Sequence, residues 1–248
     1  ANQNNQYMSN LLPDINIPRY IRILLYFTLA NLAILALRNY LVGDHMFNFL
    51  KSNLLSGIAP FVIALGLQFF YSKLNNFWFI LGSMLWLLFY PNSPYMISDL
   101  IHPHEEVKDS VIPQLIVFDT FIVFSIAMLS LFYGFVSLKL MFNLFRQRFG
   151  ERWAHGAILF SLILSCLGFY MGRAIISEVK LGNGYLYSWE VFLEPVFIIK
   201  IVLKNLFPIS DNIHVYAMMA LFGFVQYQML VMMKDVSDIE EAKAVTKD

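Results

Sequence analysis

From Val111 to Phe142 only Asp119 and Lys139 carry charge. An apolar run of about 18 residues or more is the length an α-helix needs to cross roughly 30 Å of hydrocarbon. The chain contains several such runs. In lipid every backbone N–H and C=O must be satisfied within the spanning structure, which leaves helices or closed barrels. A barrel would show alternating segments of about 10 residues, whereas these runs are continuous. Composition agrees: 58% of residues are apolar and only 14% are charged, against about 25% charged in an ordinary soluble domain. The sequence therefore specifies an all-α, polytopic membrane helix bundle.

Six transmembrane helices are expected, at about Tyr20–Leu37, Leu55–Tyr71, Phe77–Tyr95, Val111–Phe142, Gly156–Ile176 and His214–Met233. Together they make a membrane domain over residues 20–233, between polar tails at 1–19 and 234–248. Val196–Phe207 is too short to span, and places Lys200 and Lys204 one turn apart. It reads as an interfacial or re-entrant helix. The fourth run would rise about 48 Å as one helix, so it must tilt or project, and Lys139 and Asn143 point to projection at its C-terminal end. Asn31, mid-way along the first span, is expected to hydrogen-bond a neighbouring helix, with a functional role as the alternative.

Six spans put both termini on one side. That side carries more Lys and Arg, including Arg146, Arg148 and Arg152 close to membrane ends. By the positive-inside rule the termini are cytoplasmic. Residues 1–19 lack a basic segment followed by an apolar one, so the first span is expected to serve as the targeting signal. Equal numbers of acidic and basic residues, 17 each, argue against a nucleic-acid partner, which needs clustered excess Lys and Arg. The expected partners are the lipid bilayer and other membrane subunits. The single cysteine, Cys166, excludes an intramolecular disulfide and a Cys-rich zinc site.

Phe89–His102, FYPNSPYMISDLIH, interrupts this pattern. It brings two prolines and a cluster of polar and aromatic side chains where a membrane helix would prefer leucine. Each proline removes a donor and disfavours helical geometry just before itself. The segment is either an ordinary helix end with a turn, or a break lining a ligand site, since broken helices survive at membrane depth only inside protein or beside a cavity. On the six-span topology Tyr90, Asn92, Tyr95 and Asp99 come to the outer level. Asp119 at the start of the fourth span joins them, as do Tyr170 and Arg173 at the end of the fifth, and Trp189 beyond it. A carboxylate such as Asp119 inside lipid costs about 2.5–3.5 kcal/mol or more. It should face the bundle and meet a partner, with Arg173 the candidate. The pair is either structural, fixing helix register, or part of a site that handles protons or substrate.

His102, His104, Glu105 and Glu106, with Asp99, have ligand chemistry suited to a divalent ion, but their spacing matches no metal motif and Pro103 interrupts it. A solvated acidic loop is the simpler reading. GxSxG, HExxH, Walker and GxGxxG patterns are all lacking, so no cofactor is expected.

WLLFYPNSPYMISDLIH resembles the signature of a bacterial multi-pass membrane family catalogued as domain of unknown function 1361. Its members show an FYPN-x-PY-x-x-x-DL segment, an aspartate at the start of the next span, a G-x-x-SL segment near that span's end and a later G-x-YLGR segment. Here these look like Phe89–Leu100, Asp119, Gly134–Leu138 and Gly168–Arg173, within roughly Ile80 to Pro195. The family usually follows its GR with an RWNSWD-like segment. Here AIISEVKLGNGYLYSWEVFLEP intervenes, and Glu190 stands where aspartate is expected. The resemblance implies the fold and a clustering of Asn92, Asp99, Asp119, Arg173 and Trp189; it carries no activity. The function expected is binding or transport of a small polar or amphipathic ligand at an outward-facing pocket, with Arg173 holding an anionic group. The alternatives are a membrane enzyme acting on a lipid-linked substrate, with Asp99 or Asp119 as general base, and a structural partner subunit.

Overall fold

A computed structural model describes residues 18–42, 49–101, 113–170, 180–181, 184–185, 200, 203–204, 207, 209–210 and 213–245. The chain divides into two units, Ala1–Asp44 and His45–Asp248. In the first, α1 (Arg19–Val42) is a single apolar helix whose buried positions, Leu24, Asn31, Leu35 and Arg38, share one face by their helical spacing. Asn31, expected to bond a neighbouring helix, donates from Nδ2 to Phe27 O of its own helix at 2.9 Å.

The second unit is a helical bundle. It comprises α2 (Phe49–Phe69), α3 (Asn76–Phe89), the one-turn α4 (Asn92–Tyr95), a 3₁₀ helix (Met96–Ile101), α5 (Pro113–Phe149), α6 (Glu151–Tyr170) and α7 (Ile213–Val245). A two-residue antiparallel pair joins β1 (Lys180–Leu181) to β2 (Gly184–Tyr185). Among the described residues the fold is otherwise helical. Among the described residues five helices are long and apolar enough to cross a membrane: α1, α2, α5, α6 and the Ile213–Met232 part of α7. The expected third span is the exception. It forms the 14-residue α3, about 21 Å long, and then breaks at the prolines. Of the expected interfacial helix only Lys200, Leu203 and Lys204 are described as helical, all three exposed. The helix α7 runs on to Val245, into the stretch expected to be a tail.

Two local features set the ends of the bundle. Asn75 caps α3, its Oδ1 accepting from Trp78 N at 3.0 Å, so the chain turns back at once after α2. Gly150, at φ +91°, separates α5 from α6; an L side chain is strained at such a φ. These corners lie at the same end, here the turn end. Arg148, one residue before Phe149, holds them together. Its guanidinium donates to the carbonyls of Tyr71 (3.1 Å), Leu74 (2.8 Å) and Asn75 (3.2 Å). It also stacks over the Tyr71 and Phe79 rings at 4.7 and 4.6 Å. Those carbonyls belong to the turn between α2 and α3, so the guanidinium closes the corner itself.

The core fills the turn-end half. Phe79, Trp86 and Tyr90 of α3 pack with Leu138, Met141 and Phe142 of α5, Ala154, Ile158 and Leu162 of α6, Ala64 and Leu67 of α2, and Leu230 of α7. The helices α2 and α5 run parallel: Gly57 meets Ser130, and the Phe61 and Tyr133 rings lie 5.1 Å apart. Carried back along both helices, this register sets Phe49 beside about Ile122. The first turns of α5 therefore stand about 14 Å past the start of α2. At its other end α5 runs about seven residues, roughly 10 Å, past the level of Phe69, the end to which Lys139 and Asn143 pointed, and Arg148 there holds the turn after α2.

Candidate functional site at the helix break

The Pro91–Pro94 segment keeps a helical path but tightens it. Ser93 N donates to Tyr90 O and Tyr95 N to Pro91 O, both at 3.1 Å, before the chain passes into the 3₁₀ turns. Gly57 lies eight residues inside α2, about 12 Å from its start, and it meets the break there. The break is thus inside the bundle, not at a helix exit. It is packed on protein: Ser93, Pro94 and Met96 are buried. Three helices approach it through a glycine or a hydroxyl. Ser93 Oγ donates to Gly57 O of α2 at 2.6 Å. Ser130 Oγ of α5 donates to Ser93 O at 3.0 Å. A Cβ on Gly134 of α5 would lie 2.7 Å from Ser93 Cβ, and one on Gly168 of α6 would lie 2.8 Å from Pro91 Cβ. Backbones come this close only where a residue has no side chain. A turn below the break, Trp86 Nε1 donates to Ser137 Oγ at 3.3 Å.

Above the break the chain reaches the second group of expected site residues. Asp99 is 1% exposed and Asp119 4%, on two elements that pack together, the 3₁₀ helix and α5. Asn53 Nδ2 of α2 donates to Asp99 Oδ2 at 2.9 Å, a charge-assisted contact of the stronger kind when the carboxyl is ionised. By the α2–α5 register Asp119 stands near the level of Phe49, at the rim of the bundle. Tyr95 is half-buried and faces Phe169, ring centroids 6.3 Å apart, and Phe169 in turn meets Phe222 of α7 at 4.9 Å. Asn92 and Tyr170 are half-buried, Tyr170 closing the described part of α6.

Tyr90 sits elsewhere. Its ring lies in the apolar core and its hydroxyl donates to Gln226 Oε1 of α7 at 3.0 Å. Ser165 Oγ of α6 donates to the same oxygen at 3.4 Å. Gln226 Nε2 is buried and lacks a hydrogen-bond partner among the described residues. Arg173, Trp189, His102, His104 and Glu105 lie outside the described residues, so the Asp119–Arg173 pair and the metal cluster do too. Among the described residues no group of three His, Cys, Asp or Glu could hold a metal.

Two partners were not singled out from sequence. Asn53 falls two residues before the expected second span and looked like loop. Gln226 was visible as an amide amid the apolar residues of the last span.

An arrangement of this kind, apolar helices of spanning length around a buried proline break, defines a multi-pass integral membrane protein. The model of the family described as a protein of unknown function, DUF1361, matches residues 52–229, more than half of the chain, and the protein belongs to that family. No curated protein and no solved structure matches it. The segments that carried the resemblance meet in space: the glycine of Gly134–Leu138 abuts Ser93, its Ser137 receives Trp86, and the glycine opening Gly168–Arg173 abuts Pro91.

Proposed function

We propose that the protein binds a small polar or amphipathic ligand at the break end of the bundle and hands it across or along the membrane, as one component of a larger assembly. In this reading the protein lies in a bacterial cytoplasmic membrane with both termini inside and the break end outward. The observation that supports it is the burial of two carboxylates, Asp99 and Asp119, on adjacent elements. Burying a charge is costly unless partners compensate it, and a bundle meant only to hold its shape gains more from apolar packing there. Asn53 fixes one oxygen of Asp99 and sets the carboxylate's orientation. Asn92 and Tyr95, on the turn before the 3₁₀ helix, and Tyr170, at the end of the described part of α6, supply half-buried polar and aromatic edges, the mix common in ligand sites. Arg173 and Trp189 complete the set, giving a cation and an indole to frame an anionic or amphipathic group.

The test is a thermal-shift screen of the purified protein against panels of organic anions, amines and sugars. A compound that raises the melting temperature of the wild type, but not of D119N or N53A, supports the reading. An experimental density map showing the break end filled by side chains, with neither solvent nor ligand, would sink it. Turnover of a lipid-linked substrate that is abolished by D99N or D119N would replace it with the enzyme.

A further inference from the structure

At the opposite end, away from the carboxylates, the outer faces of α2 and α3 leave a groove of about 750 Å³ between them. Its floor includes two glycines. At Gly66 an added Cβ would meet nothing within 4 Å, and at Gly82 it would strike Leu67 of the groove wall. Its outer edge is apolar and exposed, with Trp78 56%, Leu85 49% and Leu88 52% exposed. From Trp78 to Leu88 the groove rises about 15 Å, half of a roughly 30 Å hydrocarbon core. That length suits the chains of one leaflet. A transmembrane helix of a partner would need a seam running through both leaflets.

The mouth of the groove lies at the turn end. Phe70 and Leu74 line it there, and Lys73 stands between them in the same turn, exposed, its N–H on Phe70 O at 2.9 Å. Arg148 holds this turn by the carbonyls of Tyr71, Leu74 and Asn75. The Lys73 backbone is thereby placed before any ligand arrives, which lowers the ordering cost of binding. Trp78, at the same level, is the residue type that favours the headgroup boundary. An apolar slot of one-leaflet length, with an ammonium and an indole at its headgroup end, is complementary to one molecule: an anionic phospholipid.

We infer that the α2–α3 groove is a binding site for an anionic phospholipid, one acyl chain lying over Gly66 and Gly82 and the headgroup phosphate meeting Lys73. The experiment is native mass spectrometry of the purified protein in detergent, titrated with phosphatidylglycerol and with phosphatidylcholine of the same chains. Wild type should retain phosphatidylglycerol over phosphatidylcholine by about fivefold, the worth of one lysine near a membrane surface. Lys73→Glu should erase the preference. Gly66→Leu, at a position with room for the side chain, should fill the slot and reduce retention of both lipids. Equal retention of the two lipids by the wild type overturns the inference. So does phosphatidylglycerol binding unmoved by either variant, or disulfide capture of a second copy through Leu85→Cys on the groove edge.

Discussion

Pro91 and Gly168 touch where the broken helix passes α6, and a Cβ on Gly168 would lie only 2.8 Å from that of Pro91. Gly134 has the same relation to Ser93. In a bilayer, apolar helices gain little by leaving lipid for each other, so close backbone packing and hydrogen bonds hold them. Substituting either glycine by alanine adds a methyl where there is no room. Overpacking of this sort costs about 1–3 kcal/mol, more than the roughly 1 kcal/mol that alanine gains in helix propensity. G134A and G168A should therefore melt earlier in detergent, while G66A, with open space around it, should not. Equal melting of all three would remove the glycines' role.

The Tyr90–Gln226 bond should show strong coupling. Y90F removes the nearer of two donors to Gln226 Oε1, leaving Ser165 Oγ, and Q226L strands the Tyr90 and Ser165 hydroxyls, at about 1–3 kcal/mol for each buried polar group left unmet. Among the described residues Gln226 Nε2 already lacks a partner. The double variant Y90F/Q226L removes both ends of the Tyr90–Gln226 bond and should be less damaging than the sum of the singles. Additive losses in thermal melts would contradict the direct bond.

Arg148 should not tolerate lysine. Its planar fork reaches three carbonyls while stacking on two rings, and a lysine ammonium reproduces neither the fork nor the stack. R148K and R148A should both loosen the turn end, read as faster proteolysis between Phe69 and Asn76 in reconstituted protein. R148K indistinguishable from wild type would mean that charge alone suffices.

Asn53 should matter through Asp99. N53A removes a charge-assisted donor from a buried carboxylate, a loss on the order of 1.5–3 kcal/mol. N53A combined with D99L, which removes the buried acid as well, should recover part of that loss. A double variant weaker than N53A would show that Asp99 has a stabilising role apart from Asn53.

The membrane helices were legible because lipid imposes one strong rule, and long runs with almost no charge, such as Val111–Phe142, obey it. The break was legible because Pro91 and Pro94 act locally. Its depth was not. That is set by Gly57, Gly134 and Gly168 on three other helices; Gly134 and Gly168 open segments that carried the family resemblance, but what they pack against emerges only when the helices are in register. The Asn53–Asp99 contact joins residues 46 apart, with no periodic signal linking them. Lys139 and Asn143 pointed to one overhang of α5, at its C-terminal end; the overhang at the N-terminal end follows only from the α2–α5 register. The C-terminal end is braced by Arg148, a loop cation by sequence and a corner brace in the fold.

The polar seam beside the broken helix also bears on how the protein is made. Ser93 finds Ser130 only 37 residues later in the chain, and Tyr90 finds Gln226 only 136 residues later. When α2 and α3 leave the ribosome as a hairpin, Ser93 has Gly57 alone for company, and the Tyr90 hydroxyl awaits a helix not yet synthesised. The seam is complete only when α5 and α7 have closed around the hairpin.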